Sequence, residues 1–244
     1  MYSIQFFRSA CIALITLTPL LLVGAGRANA SLLAATSPAA PLPVTAIAPA
    51  RAGTRIVVLI SGESGRTAFE TALARELADS GSGVLILDAK AFLSSPKSPA
   101  KAANEVEEAL RRYARVWNRP RIVVVGYSRG ADVAPFIANR LSADLKPLID
   151  GVVLLGPMGR ASFELTLRES VTKRPRATDL PVMPELERLR GTRLVCAYGR
   201  QETAAFCSRV DSTLVHVVIR GGGHSLGQGD GKSIAKLIAD RLGP

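Results

Sequence analysis

Short runs of β-branched and aliphatic residues alternate along this chain with longer stretches whose apolar positions recur every three or four residues. The first kind predicts six strands: Arg55 to Ser61, Gly83 to Asp88, Arg121 to Gly126, Gly151 to Gly156, Thr192 to Tyr198 and Leu214 to Ile219. The second predicts helices over Thr67 to Asp79, Pro99 to Trp117, Gly130 to Leu141 and Gly231 to Leu242. A strand that is apolar at every position has both faces covered, and strands separated by helices pair in parallel. The pattern therefore predicts an α/β fold, a three-layer sandwich around a mostly parallel sheet of about six strands. Residues 157 to 190 show no clear period and read as a lid or cap.

Two segments before Thr54 break this pattern. Arg8 precedes the apolar stretch Ala10 to Val23, and Ala28-Asn29-Ala30 supplies the small residues that a signal peptidase reads. Residues 1 to 30 are thus expected to be a signal peptide cut after Ala30. Pro19 inside the run speaks against an uncleaved anchor, and no cysteine stands at the cleavage site to carry a lipid. Residues 31 to 53 are rich in Ala and Pro, as in Ser37-Pro38-Ala39-Ala40-Pro41-Leu42-Pro43, and read as a linker outside the core. The folded domain is expected over residues 54 to 244.

Of 244 residues, 48% are hydrophobic and 21% charged, which excludes a disordered chain. The formal net charge of +11 favours anionic partners. Nucleic acid is not among those expected, because no binding motif is visible and aromatic residues make up only 5%. Beyond the signal, Cys196 and Cys207 stand eleven positions apart. In an oxidising compartment they can form one disulfide; the alternative is two buried thiols.

The candidate chemistry lies at the end of the third core strand, in Val125-Gly126-Tyr127-Ser128-Arg129-Gly130. A strand running into Gly-x-Ser-x-Gly with a helix behind it is the context of a nucleophile elbow, which points to an α/β-hydrolase-like arrangement with Ser128 as nucleophile. The following helix directs its N-terminus at the serine and favours developing negative charge. Two histidines are available. His216 lies inside a predicted strand, whereas His224 follows it on Gly221-Gly222-Gly223, where the imidazole is free to swing over the serine. His224 is the expected base. The acid that orients it should follow the preceding strand, which nominates Glu202, with Asp211 and Asp179 as alternatives. Two backbone N–H groups are needed for an oxyanion: one from Arg129, the other from Gly62 or Glu63 in the loop after the first core strand. No metal or cofactor is expected, since the histidines and cysteines lack ligand spacing.

Taken together, Ser61-Gly62-Glu63-Ser64-Gly65, the block Gly126 to Phe136, Asn139-Arg140-Leu141, the loop from Cys196 to Cys207 and Gly222-Gly223-His224 resemble the bacterial virulence protein VirJ and AcvB C-terminal domain family. That resemblance spans most of Arg55 to Leu242. It implies a periplasmic α/β-hydrolase that cleaves aminoacyl-phosphatidylglycerol, the lysyl ester above all, at an anionic phospholipid surface. It also implies an association with secretion-system proteins. A lysyl group would need a carboxylate at the site, for which Glu63 and Asp132 are candidates; Asp132 reads equally well as a helix-surface or buried hydrogen-bonding residue. The family's loop usually reads Ser-Gly-Asp-Gly-Gly-Trp where this chain has Ser-Gly-Glu-Ser-Gly-Arg, and bulkier residues usually follow the histidine where this chain has Ser225. The first departure bears on substrate more than on catalysis, because the donors there are backbone groups. Two other readings remain open: a generic periplasmic esterase or thioesterase, and a non-catalytic binding protein that uses the fold as a scaffold.

Overall fold

The apolar runs become the centre of one twisted sheet in the computed structural model, which describes residues 42–165, 176–226 and 231–243. Seven strands take part: β1 (Val44–Ile47), β2 (Arg55–Ile60), β3 (Gly83–Leu87), β4 (Arg121–Tyr127), β5 (Ile149–Leu155), β8 (Arg193–Gly199) and β9 (His216–Arg220). Their spatial order is β1-β3-β2-β4-β5-β8-β9, with every pair parallel except β1 against β3. The short strands β6 (Arg160–Ala161) and β7 (Leu180–Pro181) form a separate antiparallel pair.

Successive side chains leave a strand on opposite faces, so one run feeds two cores. Ile56, Val58 and Ile60 of β2, with Ile122 and Val124 of β4, pack beneath α3 (Pro99–Trp117) and α4 (Arg129–Arg140). Val57, Leu59, Val123 and Val125 face α1 (Ala68–Asp79) and a C-terminal helix, Gly231–Leu242, here α6. Two further short helices, α2 (Ala89–Phe92) and α5 (Met183–Arg188), complete the layers. Helix starts follow ordinary capping chemistry. Ser98 accepts the Lys101 N–H ahead of Pro99, and Thr67 with Glu70 forms a reciprocal capping box on α1. Each large aliphatic side chain removed from water contributes about 1.5–3 kcal/mol, and α3 buries Val106 and Leu110 together with Ala102 and Ala103.

The proline-rich segment is not wholly a linker. Val44–Ile47 joins the sheet as an antiparallel edge strand, Val44 facing Leu87 and Ile47 facing Val84. Pro43 and Pro49 flank it, and an edge is where proline is tolerated, since its missing N–H would point away from the ladder. The sheet thus has seven strands, one more than the hydrophobic runs predict. The expected signal peptide, the linker up to residue 41 and part of the expected lid, 166–175, lie outside the described residues. No described helix is long and apolar enough to cross a membrane.

At the N-terminal edge of the strands, one carboxylate closes the sheet. Asp150 is almost fully buried and receives Arg55 at 2.7 Å, Arg193 at 2.9 Å and Arg121. Arg55 and Arg193 also donate to the Leu242 carbonyl, tying α6 to the sheet. Burial alone would raise the Asp150 pKa, yet the hydrogen bonds from Arg121 and Arg55 hold it below the usual carboxylate value. Removing the carboxylate leaves three cations facing one another. Asp150→Asn should therefore cost about 3 kcal/mol at pH 7 by chemical denaturation, the low end for one-sided loss of a buried ion pair, because Arg121 and Arg193 stay half exposed. A depressed pKa contributes stability above the unfolded value and loses it on acidification, so the difference from wild type should shrink as the pH falls below about 4.

Candidate active site

The site forms where β4 hands over to α4. Ser128 is the single residue between them, at φ 51° and ψ −118°. A non-glycine residue there carries strain of about 1–3 kcal/mol, held in place by its surroundings. The flanking glycines show why the turn is so tight. A Cβ on Gly126 would come within 2.2 Å of the Gly130 carbonyl oxygen, and a Cβ on Gly130 within 2.2 Å of the Ile60 carbonyl oxygen. Any side chain at either place would push α4 off the sheet. Ser128 also donates its N–H to Leu155 O at 2.8 Å, which ties the elbow to β5.

Two loops at the same edge of the sheet deliver the partners. His224 Nε2 lies 2.9 Å from Ser128 Oγ, and His224 Nδ1 lies 3.1 Å from Glu202 Oε2. With Nδ1 protonated and donating to Glu202, Nε2 is free to accept from the serine hydroxyl; the chemistry assigns this tautomer. The other Glu202 oxygen accepts the Gly199 N–H at 2.8 Å, while the Glu202 N–H returns to Gly199 O at 2.9 Å. This closed turn aims the carboxylate. The loop lies inside the Cys196–Cys207 disulfide, whose Cα atoms are 5.6 Å apart and whose side chains are fully buried. Closing a loop of that size stabilises the fold by about 2–4 kcal/mol. The expected pairing is therefore present. Ser128 is buried, but His224 leaves 43% of its side chain in solvent, so the nucleophile opens onto the surface beside its base.

Two further described groups stand beside the imidazole. The Tyr127 ring centroid is 6.0 Å away. The backbone of Gly156, at φ 62°, lies against the ring, since a Cβ there would sit 3.2 Å from Cε1 and 3.3 Å from Nδ1. The other candidates are elsewhere. His216 is exposed at the start of β9, at the far edge of the sheet. Asp211 caps its own turn through Thr213, and Asp179 is buried where it accepts the Arg176 N–H.

The oxyanion candidates separate on inspection. Arg129 is the first residue of α4, where helix N–H groups lack an intrahelical acceptor. Gly62 packs against the serine: a Cβ on it would lie 3.5 Å from Ser128 Cβ. Its N–H, however, points to Glu70 Oε1 at 3.4 Å, so Gly62 is not the open donor that its place in the loop suggests. Glu63 is the remaining candidate. Its carboxylate sits 3.8 Å from the Arg129 guanidinium, partly in solvent. Glu70, fully buried, escaped the sequence reading, although the spacing Thr67-x-x-Glu70 announces the capping box that pins this loop.

Asp132 requires correction as a substrate ligand. It is fully buried, and its Oδ1 accepts the N–H groups of Met158 at 2.9 Å and Gly159 at 2.7 Å. No substrate reaches it. Burial pushes its pKa up to about 8, against the opposing pull of the Gly159 and Met158 N–H groups and the Arg129 charge. The segment after β5, read as a lid or cap, is clamped at both ends where it is described. Asp132 grips its start, and Asn139 and Arg140 grip the buried Glu185 of α5 at its end. No group of three or more metal-ligating side chains occurs among the described residues.

The family model described as bacterial virulence protein (VirJ) matches residues 54–243 of the chain. Among curated proteins none matches. Solved structures similar to it include MenH from S. aureus, with 12% identity, a TM-score of 0.57 and coverage of 82% of this chain and 97% of that one. Est1E from Butyrivibrio proteoclasticus aligns at 13% identity and TM-score 0.57 over 82% and 94% of the two chains. A probable hydrolytic enzyme from Pseudomonas aeruginosa PAO1 aligns at 16% and 0.57 over 82% and 89%. At such identities the likeness speaks to the fold, which is that of the α/β-hydrolases.

The raised pKa of Asp132 has a measurable consequence. A carboxyl whose folded pKa lies above its unfolded value contributes most below the unfolded pKa and loses that contribution as the pH climbs to the folded one. Asp132→Asn keeps the accepting oxygen and cannot ionise. Its melting temperature relative to wild type should rise between about pH 4 and pH 8 and then level off. A flat difference across that range would contradict the assignment.

Proposed function

The chain belongs to the bacterial virulence protein VirJ family, and from that premise we propose that it is a serine esterase exported to the periplasm, where it cleaves the aminoacyl ester of lysyl-phosphatidylglycerol. One observation carries the chemistry: the continuous line of contacts from Ser128 Oγ through His224 to Glu202.

In this reading the Ser128 oxygen attacks the ester carbonyl while His224 Nε2 takes its proton. Glu202 stabilises the imidazolium. The negative charge that develops on the carbonyl oxygen is met by the N–H groups of Arg129 and Glu63 and by the positive end of α4. Collapse of the tetrahedral intermediate breaks the carbonyl–oxygen bond, and His224 returns its proton to the departing glycerol hydroxyl of phosphatidylglycerol. A water, deprotonated by His224, then releases the amino acid from Ser128.

Support for the lipid substrate comes from the family resemblance and from charge. The formal charge, +11 for the whole chain and +9 once Arg8 and Arg27 leave with the signal (11 − 2), favours an anionic phospholipid surface. Glu63, partly exposed beside Arg129, is the carboxylate available to the lysyl ammonium group. Export rests on Ala28-Asn29-Ala30 behind the apolar run, and secretion-system partners rest on the family alone. The broader reading, a periplasmic esterase or thioesterase for soluble acyl groups, uses the same three residues. A non-catalytic binding protein would have no use for a serine held under strain with its base 2.9 Å away.

A fluorophosphonate should label Ser128 of the wild-type protein and leave Ser128→Ala unlabelled. Ester turnover should fall by about 10⁴-fold or more in Ser128→Ala and His224→Ala, and by roughly 10³–10⁴-fold in Glu202→Gln. Vesicles of lysyl-phosphatidylglycerol in phosphatidylglycerol should release lysine. Turnover of soluble esters with no lysine release would discard the lipid substrate and keep the esterase.

A further inference from the structure

We propose that Asp132 is a positioning residue for this site: by holding the Met158–Gly159 turn it fixes the Gly156 backbone against His224 and keeps the imidazole in reach of Ser128. The inference rests on the Ser128–His224 reading and gives a role to a buried carboxylate that the mechanism itself leaves unused.

Asp132 stands four residues after Ser128, in the first turn of α4. The positions after it on the helix, Val133 and Ala134, are apolar and fully buried, and an apolar residue would pack at 132 too. A carboxylate out of water is costly unless something there requires an acceptor. Here the consecutive N–H groups of Met158 and Gly159 do, and both converge on Oδ1. Leaving either unmatched would cost about 1–3 kcal/mol. Asp132 Oδ2 has no hydrogen-bond partner among the described residues, so gripping this turn accounts for the side chain's contacts. The charges that face it are Arg129 from its own helix and Asp179 from the segment before β7.

The gripped turn lies one residue, Pro157, beyond the floor of the base. Gly156 leaves β5 by donating its N–H to Ala197 O at 2.8 Å, and its Cα presents the surface on which the His224 ring lies. Gly159 O in turn accepts the Val182 N–H at 3.1 Å. The His224 ring stands on a glycine run and is close to half exposed, and among the described residues it meets Gly156, Tyr127 and its two hydrogen-bonding partners. A shift of the 158–159 turn therefore passes through one residue to the base. Misplacement of a catalytic group by about 1 Å can cost as much as 100-fold in rate.

The test compares full-length exported protein carrying Asp132→Ala, Asp132→Asn and, as a control, Glu185→Gln. Glu185 is a second buried carboxylate gripped by α4, at the other end of the same segment and away from His224. The readouts are the second-order rate of fluorophosphonate labelling, melting temperature, and hydrogen exchange in peptides covering residues 156–159 and 222–226. Asp132→Ala should label about 10- to 100-fold more slowly and exchange faster in both peptides. Asp132→Asn retains the accepting oxygen and should restore labelling to within about threefold. Glu185→Gln should lower the melting temperature and label as wild type. Wild-type labelling in Asp132→Ala, or an equal loss in Glu185→Gln, would overturn the inference. If the wild-type protein itself is not labelled, it is the hydrolase reading that fails. The exchange data then decide separately whether Asp132 secures Gly156 against His224, and unchanged protection in both peptides would dismiss that too.

Discussion

The closeness of β4 to α4 is the constraint on which the rest of this structure hangs. Gly126 and Gly130 let the helix begin almost in contact with the strand, and the one residue between them is forced to a positive φ. The strained turn puts Ser128 at the carboxyl ends of β2, β4 and β5, the place where ligands meet parallel sheets. Everything else at the site is delivered by loops that leave the same edge. The glycine run after β9 brings His224, the turn after β8 brings Glu202, and the loop after β2 brings Gly62 and Glu63. The parallel register makes these loops neighbours although they come from positions 62 to 224.

A second theme is the use of buried carboxylates at joints. Glu70 fixes the loop after β2, Asp132 the turn after β5, Glu185 the return of that segment through α5, and Asp150 the seam between the sheet and α6. Each accepts several donors, so the desolvation cost of the carboxylate is offset by matched hydrogen bonds. Asp150 and Glu185 face arginines, which hold them ionised against the effect of burial. Asp132 faces mainly backbone N–H groups, and there burial prevails. The same residue type thus acts as an ion at two joints and drifts toward neutrality at the one nearest the serine. That placement limits the negative charge beside the helix end proposed to receive the oxyanion.

The sequence alone carried the layered α/β architecture, because a doubly covered parallel strand has no polar face and its apolar run is conspicuous. The elbow was equally legible, since tight packing permits only glycine at 126 and 130 and that requirement is written in residue type. So were His224 and Glu202, whose order along the chain follows from strand order, and the cysteine pair. What escaped depended on contacts between distant residues. Val44–Ile47 is too short and too flanked by proline to stand out, and it is a strand only because β3 has a free edge. Asp132 read as a candidate carboxylate for the lysyl group, because nothing local to α4 reveals two N–H groups arriving from 26 and 27 residues further on. Gly62 looked like an open donor until Glu70 folded back on it. Residue chemistry and strand order follow from the chain itself; which polar groups are already taken is decided only when the loops meet.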